Sequence, residues 1–103
     1  MQLTKWAIRH GPTGHYLPRP PNWHGRGGSH AEPKEYDGTL LTEPRLFDSQ
    51  KNAKLALNAW LQGKWVRSAG GEADDYWDDV DIHKQAHRKP EQMHIVPVTI
   101  IIP

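Results

Sequence analysis

One stretch of this chain, and only one, carries a long helical pattern, and that limits the fold to a single helix supported by something else. Asp48 and Ser49 are both competent N-caps, Ala53, Leu57, Trp60 and Leu61 recur at i, i+4, i+7 and i+8, and Ala56 fills the same face. Gly63 stands where a helix needs a left-handed terminating residue, and Lys64 follows near the negative end of the dipole. The spacing therefore predicts a helix over residues 48–62. Burying Leu57, Trp60 and Leu61 is worth roughly 2 kcal/mol apiece, more than any other segment offers.

The remaining order must come from strands. Residues 93–102 alternate with a period of two, placing His94, Val96, Val98, Ile100 and Ile102 on one face, and Pro97 marks an edge position or a bulge. Residues 3–17 read as a hairpin, with Trp6 and Ile8 on one side of the first strand and Gly11-Pro12-Thr13-Gly14 as the turn. Residues 39–47, interrupted by Pro44, suit an edge strand or two fragments, and residues 80–83 a short strand. No strand-helix-strand alternation long enough for a parallel sheet is present. The expected fold is α+β: one main helix packed on a small antiparallel β-sheet, with long Pro/Gly-rich and acidic loops, in one domain spanning residues 1–103.

Composition agrees with a modest core. Apolar residues make up 36% of the 103, and nine prolines and nine glycines are spread among them, while five tryptophans argue against general disorder. Cysteine is absent, so disulfides and thiolate metal sites are excluded. No stretch is long and apolar enough for a signal peptide or a membrane span, so a soluble, cytoplasmic protein without membrane contact is expected.

The formal charge of +1 conceals a strong separation. Residues 1–31 hold Lys5, Arg9, Arg19 and Arg26, four histidines and no acid, whereas residues 72–82 hold six acids and no base. The basic part includes a Pro/Gly-rich loop over residues 18–38, in which Gly25-Arg26-Gly27-Gly28-Ser29-His30 can turn its backbone N–H groups towards an anion. It lacks the Lys-Ser/Thr ending of a mononucleotide loop. Lys5, Arg9, Arg19, Trp23, Arg26, Gly27, Gly28, Ser29 and His30 are the candidate anion or nucleic-acid-binding set, with aromatic faces available to stack on bases. Only four cations stand behind that reading, which limits the affinity it supports.

The acidic loop, residues 70–81, has no EF-hand spacing for calcium. Asp74, Asp75, Tyr76, Trp77, Asp78 and Asp79 form instead a candidate protein-docking surface, two large aromatic anchors inside a charged field that steers a basic partner. Seven histidines invite a metal, but His83 and His87 form an HxxxH without the metalloprotease glutamate, and His30-Ala31-Glu32 lacks the cysteine pair that a zinc deaminase requires. No metal or other cofactor is expected. A hydrolase or nuclease built on His10, His24 or His30 has no paired nucleophile in the sequence and ranks below both binding readings.

The strings WAIRHGPTGHYLP at 6–18, GRGGSHAEP at 25–33, PRLFDSQKNAKLALNAWLQGKW at 44–65 and MHIVPVTI at 93–100 together resemble small accessory proteins encoded by tailed bacteriophages. The resemblance implies a virus-encoded protein of the host cytoplasm that binds, and thereby modulates or inhibits, a host protein of the defence, transcription or recombination machinery. It transfers context and no mechanism. A nucleic-acid-binding accessory is the alternative partner class, and a homodimer through the edge strand ending at Ile102 is a further one.

Overall fold

The computed structural model describes residues 1–19, 30–67 and 80–103. Five elements follow in order: strand β1 (Gln2–His10), helix α1 (Gln50–Gln62), strands β2 (Lys64–Arg67) and β3 (Val80–His83), and strand β4 (Met93–Ile101), which a 3-10 turn at Pro90–Gln92 introduces. The architecture is α+β, one helix against a small antiparallel sheet.

β1 and β4, the two ends of the sequence, pair antiparallel over nine positions, from Gln2 opposite Ile101 to His10 opposite Met93. Bonds from Gly11 N–H to the Gln92 carbonyl and from Ile102 N–H to the Met1 carbonyl extend the ladder at both ends. The expected hairpin over residues 3–17 is met at its turn, where Gly14 N–H donates to the His10 carbonyl, but its second strand shrinks to a single bridge between Arg9 and Tyr16. Two features explain the difference. Pro18 pairs instead with Pro44, and Phe47 takes over the same edge of β1 by exchanging both backbone bonds with Trp6. β1 is thus the central strand, with β4 on one edge and short fragments on the other. Residues 39–47 supply two bridges after a turn at 38–42: Phe47 pairs with Trp6 of β1, and Pro44 pairs with Pro18.

α1 begins one or two residues inside its expected limit. Ser49 is the cap, its Oγ accepting from Asn52 N–H at 3.1 Å, while Asp48 pairs with Lys5. Ala53, Leu57 and Trp60 are buried, and with Ile8, Leu17, Phe47 and Met93 they form the core; Trp6, Ala56, Leu61 and Ile95 pack around it. At the far end Gly63 adopts φ 131°, outside the range of side-chain-bearing residues, and a Cβ there would lie 2.3 Å from the His83 carbonyl oxygen. That approach lets the helix pass directly into β2, whose Lys64 pairs with His83 of β3. β3 is the short strand expected over residues 80–83, so Val80 and Asp81, also counted at the end of the acidic loop, belong to it.

Among the described residues no helix is long and apolar enough to cross a membrane.

Candidate functional site

The end of the β1–β4 ladder, the turn that follows β1 and the last turn of α1 enclose a cleft of about 430 Å³. His10, Thr13 and His15 reach it from the turn side, Trp60 from the helix, Lys64 from the start of β2, and Glu32, His87, Arg88 and Lys89 from two irregular segments. Those irregular segments are fixed by one side chain. Arg88 is fully enclosed, donates to Glu32 Oε1 from Nε at 3.2 Å and from a terminal nitrogen at 2.8 Å, and donates from its other terminal nitrogen to the Trp60 carbonyl at 2.9 Å. Its guanidinium lies 4.3 Å from the centre of the Trp60 ring. Trp60 in turn donates its indole N–H to the Ala31 carbonyl at 2.6 Å, which pins the residue before Glu32.

The physical logic is that of a buried cation each of whose three nitrogens has an acceptor, so the last turn of the helix, the 30s segment and the segment before β4 become one unit. Glu32 Oε2 also meets His87 Nε2 at 3.0 Å. Burial by itself raises the Glu32 carboxyl, but the hydrogen bonds and charges of Arg88 and His87 outweigh it and hold Glu32 below its usual range. The carboxylate is consequently spoken for. Besides the apolar Pro33, Trp60 and Met93 and the Thr13 hydroxyl, the cleft is lined by basic side chains: Lys64, Lys89 and the imidazoles of His10, His15 and His87. His10 Nδ1 lies 2.7 Å from Thr13 Oγ1 and its Nε2 3.4 Å from Gln92 Oε1, which sets the ring's orientation from both sides.

The described members of the expected basic set do not line one groove. Lys5 is paired with Asp48, and Arg9, on the same face of β1, lies over the turn at Gly14. Arg19 is exposed and its backbone N–H donates to the Glu43 carbonyl, and His30 is exposed. Trp23, Arg26, Gly27, Gly28 and Ser29 lie outside the described residues, as do Asp74, Asp75, Tyr76, Trp77, Asp78 and Asp79. His83 and His87 do not share a helix face: His83 ends β3 and His87 sits in a turn bonded to Glu32. Among the described residues no group of three potential ligands is placed to hold a metal ion.

The sequence singled out His10, and it held Glu32 only in the string His30-Ala31-Glu32, whereas in the fold Glu32 is bonded to His87. It passed over Arg88, because an arginine in a polar stretch 56 residues from Glu32 carries no periodicity that marks it as enclosed. The same chain, compared with protein families, curated proteins and solved structures, matches none of them.

Proposed function

We propose that the protein is a non-catalytic, phage-encoded accessory protein that works in the host cytoplasm by binding a host protein, and that the cleft beneath His10 receives an acidic group of that partner. The observation that supports this is the charge balance of the cleft: two lysines and three imidazoles surround a space whose single carboxylate is already neutralised by an enclosed arginine. An incoming carboxylate or phosphate meets these basic groups without competition from Glu32, which is already paired. Inhibition or modulation of the partner follows from occupancy, with the acidic aromatic residues around Trp77 as a second contact.

Chemical-shift mapping by NMR tests the cleft. Titration with a glutamate-rich peptide at millimolar concentration is expected to move the resonances of His10, His15, Lys64, His87 and Lys89, and Lys64→Glu with Lys89→Glu is expected to abolish the response. Unchanged spectra at those residues would sink the reading. A single-stranded oligonucleotide in a parallel titration separates the nucleic-acid alternative: tighter binding of the oligonucleotide than of the peptide, falling steeply with salt, makes phosphate the ligand. Trp77→Ala with Asp78→Lys tests the second contact, through loss of the partner complex at an unchanged melting temperature.

A second reading is hydrolysis. The Thr13 hydroxyl beside His10, with Gln92 behind the ring, has the order of a nucleophile, a base and an orienting group. Thr13 Oγ1 also accepts from His15 N–H within the same turn, the ordinary work of a turn threonine. Turnover of an activated ester that disappears in both Thr13→Val and His10→Gln would favour this reading over binding alone.

A further inference from the structure

The outer edge of β4 is open among the described residues. In an antiparallel ladder successive residues direct their backbone groups to alternate edges, and Trp6 exchanges its two bonds with Phe47, away from β4. Pro97, opposite Trp6, therefore directs its nitrogen and carbonyl outward, and so do Thr99 and Ile101. Proline is tolerated at such a place because no ladder bond is lost there. Neither β4 nor the segment after it pairs with any described strand but β1.

Edges of this kind are usually blunted by a charge. Residues 97–103, PVTIIIP, contain none. Beside them the face carrying Leu3, Val98, Ile100 and Ile102 is apolar, Leu3 and Ile102 each being 38% exposed. Lys5 is the one charged residue on that face near the edge, and it is drawn off to Asp48.

We infer that a second copy of this chain covers this edge, β4 lying antiparallel to its counterpart with Ile100 opposite Ile100 across a two-fold axis. The spacing of the prolines selects that register. With Ile100 on the axis, Thr99 of each copy faces Ile101 of the other, both residues exchange both of their outward bonds, and Pro97 falls opposite Pro103, where the ladder stops. A slip by two residues in one direction sets Pro97 against Ile101, and in the other sets Pro103 against Thr99, leaving a carbonyl of Thr99 or Ile101 without a donor. The overlap ends at Pro97, short of Met93 and Ile95, where β4 packs on the core. The two helices stay at opposite ends of a four-stranded sheet, β1–β4–β4–β1, and the apolar faces of the two ribbons become continuous. The inference goes beyond the partner-binding reading and does not depend on it.

The absence of native cysteine makes the test direct. Ile100 residues facing each other as a non-hydrogen-bonded pair would have Cα atoms about 4.5 Å apart, inside the range of about 4.4–6.8 Å that a disulfide spans. Ile100→Cys is expected to form a covalent dimer under mild oxidation, whereas Val98→Cys, held roughly 13 Å from its copy by the four-residue offset, should not. Thr99→Pro removes an outward N–H without touching the bonds to β1, and is expected to sediment as a monomer with an unchanged circular dichroism spectrum. Sedimentation of the unaltered chain as a monomer at high micromolar concentration overturns the proposal, and so does equal cross-linking of Val98→Cys and Ile100→Cys.

Discussion

The two ends of the β1–β4 ribbon are made of the same kind of sequence and meet opposite fates. At one end Ile8, Met93 and Ile95 stand under α1, and Ile8 and Met93 are buried. At the other, Ile101, on the same face of the same ladder, is 72% exposed. Strand pattern alone does not decide burial; what decides it is whether another layer stands on the strand. At the first end that layer is a helix locked by Gly63 and Arg88, and the locking also shapes the cleft. The free end keeps its apolar character with nothing described to cover it.

The largest effect that can break this contrast lies at the lock. Gly63→Ala must change φ from 131° and displace the His83 carbonyl, since the added carbon would sit 2.3 Å from it. A loss of about 4 kcal/mol or more is expected, enough to unfold a marginal domain, and a cooperative melt close to that of the parent would show that the helix end is not held as described. Next comes a matched pair on the ribbon. Ile8→Ala, 2% exposed, should cost about 3 kcal/mol in denaturant unfolding. Ile101→Ala, by contrast, should change the stability of the isolated chain by no more than about 0.5 kcal/mol. Similar losses at the two sites would erase the distinction between the ends.

Arg88→Leu probes the same lock through charge. It keeps apolar volume over Trp60 but leaves the Trp60 carbonyl with the Gly63 N–H as its remaining donor and takes the arginine from Glu32, for a loss of roughly 2 kcal/mol, moderated because Glu32 is partly solvated and still meets His87. Arg88→Lys should recover little, since a single ammonium cannot reach Glu32 and the carbonyl while lying flat on the ring. Full recovery by lysine would show that charge alone, and not the planar fork, is what counts.

How much of this was legible beforehand follows from the range of each interaction. α1 could be read because its cap, apolar face and terminating glycine are all local, and β4 because alternation is local too. Pro97 announced an edge for the same reason. The pairing of β1 with β4 was not legible: it joins residues about ninety positions apart, while Gly11 to Gly14 offered a nearby partner that the chain takes up for only one bridge. The cleft was legible in fragments. His10 drew notice as one of many histidines, but Glu32, Trp60 and Arg88 come from three separated segments, and their meeting depends on a packing event that no local pattern encodes. Gly63 was expected for its conformation; that it also makes room for His83 required the structure.

The smallest effect, and the finest comparison, sets Glu32 in the packed end against Asp48 at the base of the free ribbon. Both carboxylates are paired with a cation and both are held below their ordinary range, Asp48 by the hydrogen bond and charge of Lys5. A depressed carboxyl favours the folded state above its unfolded value, and the benefit disappears as pH falls through the folded value. For Glu32 that window opens below about 4.5 and for Asp48 below about 3.8, so acid should weaken the fold through both. They differ in how much water screens them. Asp48 is fully exposed, and Asp48→Asn should leave the acid limb of a stability profile unchanged within error. Glu32 is partly enclosed beside a buried arginine, and Glu32→Gln should flatten the limb below pH 4.5 while costing less than about 1 kcal/mol at neutral pH. Chemical denaturation at stepped pH distinguishes them. If Asp48→Asn flattens the profile as much as Glu32→Gln does, the ribbon's base is held as firmly as the cleft, and the division between the two ends fails on its electrostatic side.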